Sequence, residues 1–139
     1  MLSSNNALTY LNLSGILILI SGYALVLFSL IGNSISDEGA KYISEGLANN
    51  SSLKTLVLWG NHIGDEGGKE LFKSLKFNTA LTHLDLGWNE IDNGSMEVLG
   101  DTLTVNKTLS TLSLHSNNNN YIHIHTHTKY CLLLMEILR

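Results

Sequence analysis

Ser113, His83 and Asp85 are, by type, the serine, histidine and carboxylate of nucleophilic hydrolysis. His123, His125 and His127 alternate near the end of the chain, in the manner of metal ligands. Hydrolysis needs more than proximity: a base must take the serine proton, and donors must await the oxyanion. No oxyanion hole is evident, and the repeat developed below sets the three residues on a face open to water, so no catalytic residue is assigned. In an extended chain the histidines share one face at about 6.8 Å spacing, from which such pairs can chelate zinc. Yet they lie in YIHIHTHT, which is what a simple CA/TA dinucleotide repeat would encode through TAC, ATA, CAC and ACA codons, beside an asparagine run. No metal site is assigned. Walker, GxGxxG, HExxH and CxxC patterns do not occur, so no cofactor and no small-molecule substrate is expected.

What positions these residues is a repeat. LKTLVLWGNHI, from Leu53, returns as LTHLDLGWNEI from Leu81, twenty-eight residues later. The first place of each unit holds Leu25, Leu53, Leu81 and Leu109. The fourth holds Phe28, Leu56, Leu84 and Leu112, and the sixth Leu30, Leu58, Leu86 and Leu114. Asn33, Asn61, Asn89 and Asn117 follow, then Ile35, Ile63 and Ile91; a second asparagine recurs as Asn50, Asn78 and Asn106. Alternating leucines predict a short strand with one buried face. The asparagine then turns the chain, its amide bonding backbone groups that the turn leaves unpaired, so stacked copies predict an asparagine ladder.

A helix follows each strand. Ser36 is placed as an N-cap, with Asp37 and Glu38 in the first turn. Ala40, Ile43 and Leu47 fall on one helical face, as do Gly68, Leu71 and Leu75, then Met96, Leu99 and Leu103. Gly39 and Gly67 cost helix propensity and are expected to allow close approach to the neighbouring strand. The pattern NxIxDEGxxxLxxxL resembles leucine-rich repeats, and within them the ribonuclease-inhibitor-like class found in NOD-like receptors and Ran GTPase-activating proteins. The resemblance implies an α/β fold: a right-handed leucine-rich repeat solenoid, with a parallel sheet on the concave face, helices on the convex face, and macromolecular binding on the concave side.

The repeats are expected over 25–118, between a degenerate N-terminal unit with an apolar segment (1–24) and a low-complexity tail (119–139), a short or fragmentary array. No Asp, Glu, Lys, Arg or His precedes Asp37, and 15–32 is almost wholly apolar. Residues 13–31 thus have two readings: a strand with a buried connector at 16–24, or a membrane anchor, which needs about 20 apolar residues. The repeat register of Leu25, Phe28 and Leu30 and the lack of flanking Lys or Arg favour the first. Unpaired sheet edges at the two ends are expected to invite association.

With a net charge of -4, the chain has no basic footprint for nucleic acid. A single cysteine, Cys131, suits a reducing, cytoplasmic setting. The face between the buried leucines carries Val57, Trp59, His83, Asp85, Trp88, Ser113 and His115. Trp59 aligns with Gly87 and Trp88 with Gly60, so each indole has a side-chain-free neighbour to lie over. These residues are assigned to a protein partner, the tryptophans as anchors and the histidines and aspartate for specificity. The resemblance to Ran GTPase-activating proteins supplies the alternative of a small-GTPase regulator, and 13–31 that of a membrane-tethered module.

Overall fold

The computed structural model describes the backbone of residues 18–21, 24–118 and 124–125, and the side chains of 29–118. Strand β1 spans Ile18–Ser21 and β2 Ala24–Ser29; α1 (Asp37–Asn49), β3 (Thr55–Val57), α2 (Asp65–Leu75) and β4 (His83–Asp85) follow. A 3-10 turn at Asn93–Ser95 leads into α3 (Met96–Val105), then β5 (Thr111–Ser113) and β6 (Ile124–His125). One sheet runs in chain order from β1 to β6. Its middle strands β2 to β5 are parallel, each joined to the next through a helix. The register steps by one repeat: Phe28 pairs with Leu56, Leu56 with Leu84, and Leu84 with Leu112.

That register follows from burial. Leu56, Leu58, Leu84, Leu86, Leu112 and Leu114 are all sealed from solvent under the helices. A slip of one residue would turn every one of them to water. From the helices come Ala40, Leu47, Leu71, Leu75 and Leu99, with Ile43 and Leu103 at the margin. The spacing did not reveal Phe72, wholly buried and the largest such side chain. The equivalent places in α1 and α3 are Ser44 and Gly100, small residues beside a large one.

Both edges of the parallel sheet carry an antiparallel strand. β1 pairs with β2, and β6 with β5 through Thr111–His125 and Leu112–Ile124. The connector expected at 16–24 is therefore partly a strand. ILIS is rich in β-branched residues that suit a pleated surface, and pairing satisfies the backbone groups that the end of β2 would otherwise present. The parallel strands thus end in antiparallel ones, and β1 and β6 are the outer strands of the sheet. Of the two readings of 13–31, residues 18–21 and 24–29 follow the strand reading. No helix among the described residues is long and apolar enough to cross a membrane.

Two ladders of asparagine hold the turns. Buried Asn61 donates to the carbonyls of Leu30 and Leu58, both at 2.9 Å, and accepts from the N–H groups of Asn33 and Ile35, both at 3.0 Å. Asn89 repeats this with Leu58, Leu86 and Ile63, and Asn117 with Leu86, Leu114 and Ile91. Each amide thus joins its own turn to the preceding one, so the ladder runs through backbone and not from amide to amide. Asn78 and Asn106 do the same behind the helices, donating to carbonyls of the unit before.

Helix capping is also shared between units. Ser36 stands at the N-cap of α1, but its side chain makes no capping bond. The carboxylate of Asp37 instead reaches the next helix, where its Oδ1 accepts from Gly64 N–H at 2.7 Å and Gly67 N–H at 2.9 Å. Gly64, the N-cap of α2, has no side chain to do this. Asp65 serves the following start, accepting from the N–H groups of Asp92 and Gly94. This corrects the role given to Gly67. A Cβ there would stand 2.7 Å from Asp37 Oδ1 and 2.9 Å from Ala40 Cβ, so it admits the neighbouring helix and not a strand. At Gly39 the nearest atom is the Ile35 side chain of its own unit. Asp37→Ala should destabilise the fold by about 1–2 kcal/mol, the usual cost of a lost cap, and Asp37→Asn by less. Urea unfolding checks this; equal stability of Asp37→Ala and the parent would refute the shared cap.

Candidate functional site

The turn after each strand sets the geometry. Its eighth place is left-handed in all units: φ is 65° at Gly32, 70° at Gly60, 52° at Trp88 and 55° at Ser116. Backbone pairing enforces this. The Gly60 N–H donates to the Gly87 carbonyl at 3.0 Å, and the Trp88 N–H to that of His115 at 2.9 Å. Glycine takes such a φ freely, whereas an L side chain loses about 1–2 kcal/mol there. Trp88 therefore holds a bulky side chain where the two preceding units have none.

The indole of Trp88 is 58% exposed, and its ring centroid lies 5.8 Å from that of Trp59 at an interplanar angle of 43°. The tryptophans thus contact each other. The side-chain-free place beside Trp59 is filled by another residue: a Cβ on Gly87 would stand 2.5 Å from Cε1 of His115. At Gly60 the nearest neighbours are backbone atoms of Gly32. Beside the expected glycine neighbours, the indoles pair with each other, and the His115 imidazole packs closest to Gly87. Offset by one place, the two aromatics approach along the diagonal, where long side chains on adjacent strands reach each other.

The other expected site residues divide. Val57 and Asp85 are half-buried and directly paired across β3 and β4. Asp85 Oδ1 accepts the Gly87 N–H at 2.9 Å, which fixes the strand end. His83 is exposed, its Nδ1 2.8 Å from the Thr82 hydroxyl. Ser113 is only 3% exposed, and its hydroxyl lies 2.7 Å from Nδ1 of His115. Ser113 thus holds the imidazole in place and is covered from a partner. The triad suspected from residue types is not assembled: Ser113 meets His115, His83 meets Thr82, and Asp85 meets backbone. Ile31, 41% exposed, belongs to the same row as Trp59 and His115; its seventh-place position was the signal.

Among the described residues no group of side chains could hold a metal ion. His123 and His127 lie outside the described residues, and of His125 only the backbone is described. In the helix layer, the ammonium of Lys69 is raised above the usual lysine range by its hydrogen bond to Glu66, at 2.6 Å.

Trp88→Gly gives an unusual expectation. Removing a large aromatic from a packed site costs about 3–5 kcal/mol. Here the side chain is mostly exposed, and its pairing with Trp59 is worth about 0.5–1.5 kcal/mol beyond area. Relief of the left-handed backbone returns about 1–2 kcal/mol. Trp88→Gly should stay within about 1 kcal/mol of the parent by this difference; a loss above about 2 kcal/mol in thermal unfolding would contradict it.

The family model described as Leucine Rich repeat matches residues 49–72 and 77–100. Over those two segments the chain is similar to leucine-rich repeats. Leucine-rich repeats serve in general as non-catalytic binding modules. A solved structure, Leiomodin-1 Actin-Binding Site 2, is similar with a TM-score of 0.63 and 23% identity over 82% of this chain. That likeness concerns the fold alone, and the chain spans 61% of that structure's length. No curated protein matches the chain. In the leucine-rich repeat frame, Trp59 and Trp88 occupy the turn at the end of the strand, and Asp37 and Asp65 the start of the helix.

Proposed function

We propose that the chain is a recognition module that binds a protein partner on the sheet face turned away from its helices. One observation carries the reading: a strained, exposed Trp88 stands against Trp59 where Gly32 and Gly60 would satisfy the turn. Strain that the surrounding structure sustains, at an exposed aromatic, is a mark of a binding anchor. Ile31, Val57, His83, Asp85 and His115 surround the pair, with Ser113 orienting His115. On this reading residues 25–118 form a right-handed solenoid of the ribonuclease-inhibitor-like class, the bound face is its concave side, and the setting is cytoplasmic.

The experiment uses immobilised parent, Trp88→Gly and Tyr42→Ala, the last an exposed position on α1. Captured proteins are purified and titrated directly; filamentous actin is a defined first probe, taken from the name of the similar structure. Trp88→Gly should weaken the partner's Kd by about 30-fold, a hot-spot loss of about 2 kcal/mol. Tyr42→Ala should leave it unchanged. A partner that discriminates neither variant, or only Tyr42→Ala, would move the interface off the sheet face.

A further inference from the structure

We infer that the Trp59–Trp88 pair receives an arginine side chain of a protein partner; the inference rests on the binding reading above. Two independent features point to a cation. Indole faces attract cations through their negative quadrupole, with tryptophan the strongest of the side chains. At 43° the rings are neither stacked nor perpendicular, and Trp88 leaves most of its surface to solvent. The second feature is charge. The stretches 55–61, 83–90 and 111–117 contain Asp85 and Glu90 but no lysine or arginine, on a chain of net charge -4.

The two carboxylates differ. Glu90 is engaged, its Oε1 2.7 Å from Nδ1 of His62. Asp85 is half-buried, accepts one backbone N–H through Oδ1, and among the described residues has no cationic partner. It lies two residues before Gly87, which is adjacent to Trp59 across the sheet. Same-face neighbours along a strand are about 6.8 Å apart and adjacent strands about 4.8 Å apart, which sets Asp85 diagonally from Trp59, within the length of one arginine. A planar guanidinium can stack on an indole while its edge hydrogen-bonds a carboxylate; a lysine ammonium cannot do both as well. The protein thus presents both halves of an arginine site and fills neither from its own chain among the described residues.

Trp59 and Trp88 are the only tryptophans, so their fluorescence reads the pair directly. The probes are an acetylated peptide of alternating arginine and glycine, its lysine analogue, and its citrulline analogue, which keeps the shape and removes the charge. The arginine peptide should give a saturable emission change, the lysine peptide a weaker one, and the citrulline peptide none. Asp85→Asn keeps the acceptor for the Gly87 N–H, and should weaken the arginine peptide about tenfold, the worth of about 1.4 kcal/mol. Equal response to arginine and citrulline peptides, or none to arginine at millimolar concentration, overturns the inference without any variant. A captured partner that requires Trp88 yet binds Asp85→Asn as tightly as the parent, uncompeted by the arginine peptide, would leave the binding face standing and remove only the arginine.

Discussion

Asn61→Leu, nearly isosteric with the parent, should lower stability by about 3–5 kcal/mol, because two N–H donors and two carbonyls lose their partner at once. The amide is 4% exposed, so water cannot substitute. Its partners lie in different units: Asn33, Ile35 and Leu30 precede the helix α1, and Leu58 follows it. The substitution therefore loosens an interface between units as well as a turn. A small domain holds only about 5–15 kcal/mol in all, so the variant should unfold at much lower urea. Asn61→Asp separates the two roles of the amide. It retains an acceptor but points a carboxylate at two carbonyl oxygens, which raises the folded-state pKa of the new group. The folded state then binds the extra proton, and stability is present below the ordinary carboxylate range and lost as pH rises through the raised value. Asn61→Asp should thus be more stable near pH 4 than at neutral pH relative to the parent. A loss below about 1 kcal/mol for Asn61→Leu would mean the turn stands without its amide.

Phe72→Ala should cost about 3–5 kcal/mol. The ring is fully buried, and the small Ser44 and Gly100 at the equivalent places of α1 and α3 offer little to fill the space it vacates. The Thr102 hydroxyl donates to the Phe72 carbonyl at 3.0 Å and pins α3 to α2, a bond that the substitution leaves in place. Urea unfolding with an unchanged m-value would report this as lost packing. A cost below about 2 kcal/mol would show that the helices close over the gap.

These effects show where the repeat was legible. Leucines at the first, fourth and sixth places announced strands and register because burial demands one residue type at one spacing. The asparagines announced their turns for the same reason: few side chains both donate and accept toward backbone in so small a volume. The helix faces through Leu47, Leu71, Leu75 and Leu99 were equally plain. Phe72 was not, because no other unit repeats it. The outward places proposed for binding were read from strand alternation, with His83 and Asp85 on β4 and Trp59, Trp88 and His115 in the turns beyond the strands. Which of them touch was not.

By itself, then, the sequence determined whatever recurs every twenty-eight residues: strand, turn, helix and the buried stripe that joins them. Periodicity encodes contacts that each unit makes identically. Tertiary structure decided the contacts made once, or made across units. It placed Asp37 on the start of the next helix, added an antiparallel strand at each side of the parallel sheet, and put His115 over Gly87. It also set Trp88 against Trp59 in a left-handed turn. The physical reason is that such contacts depend on side chains from neighbouring units meeting across about 5 Å of sheet, a distance that no spacing along one strand can specify.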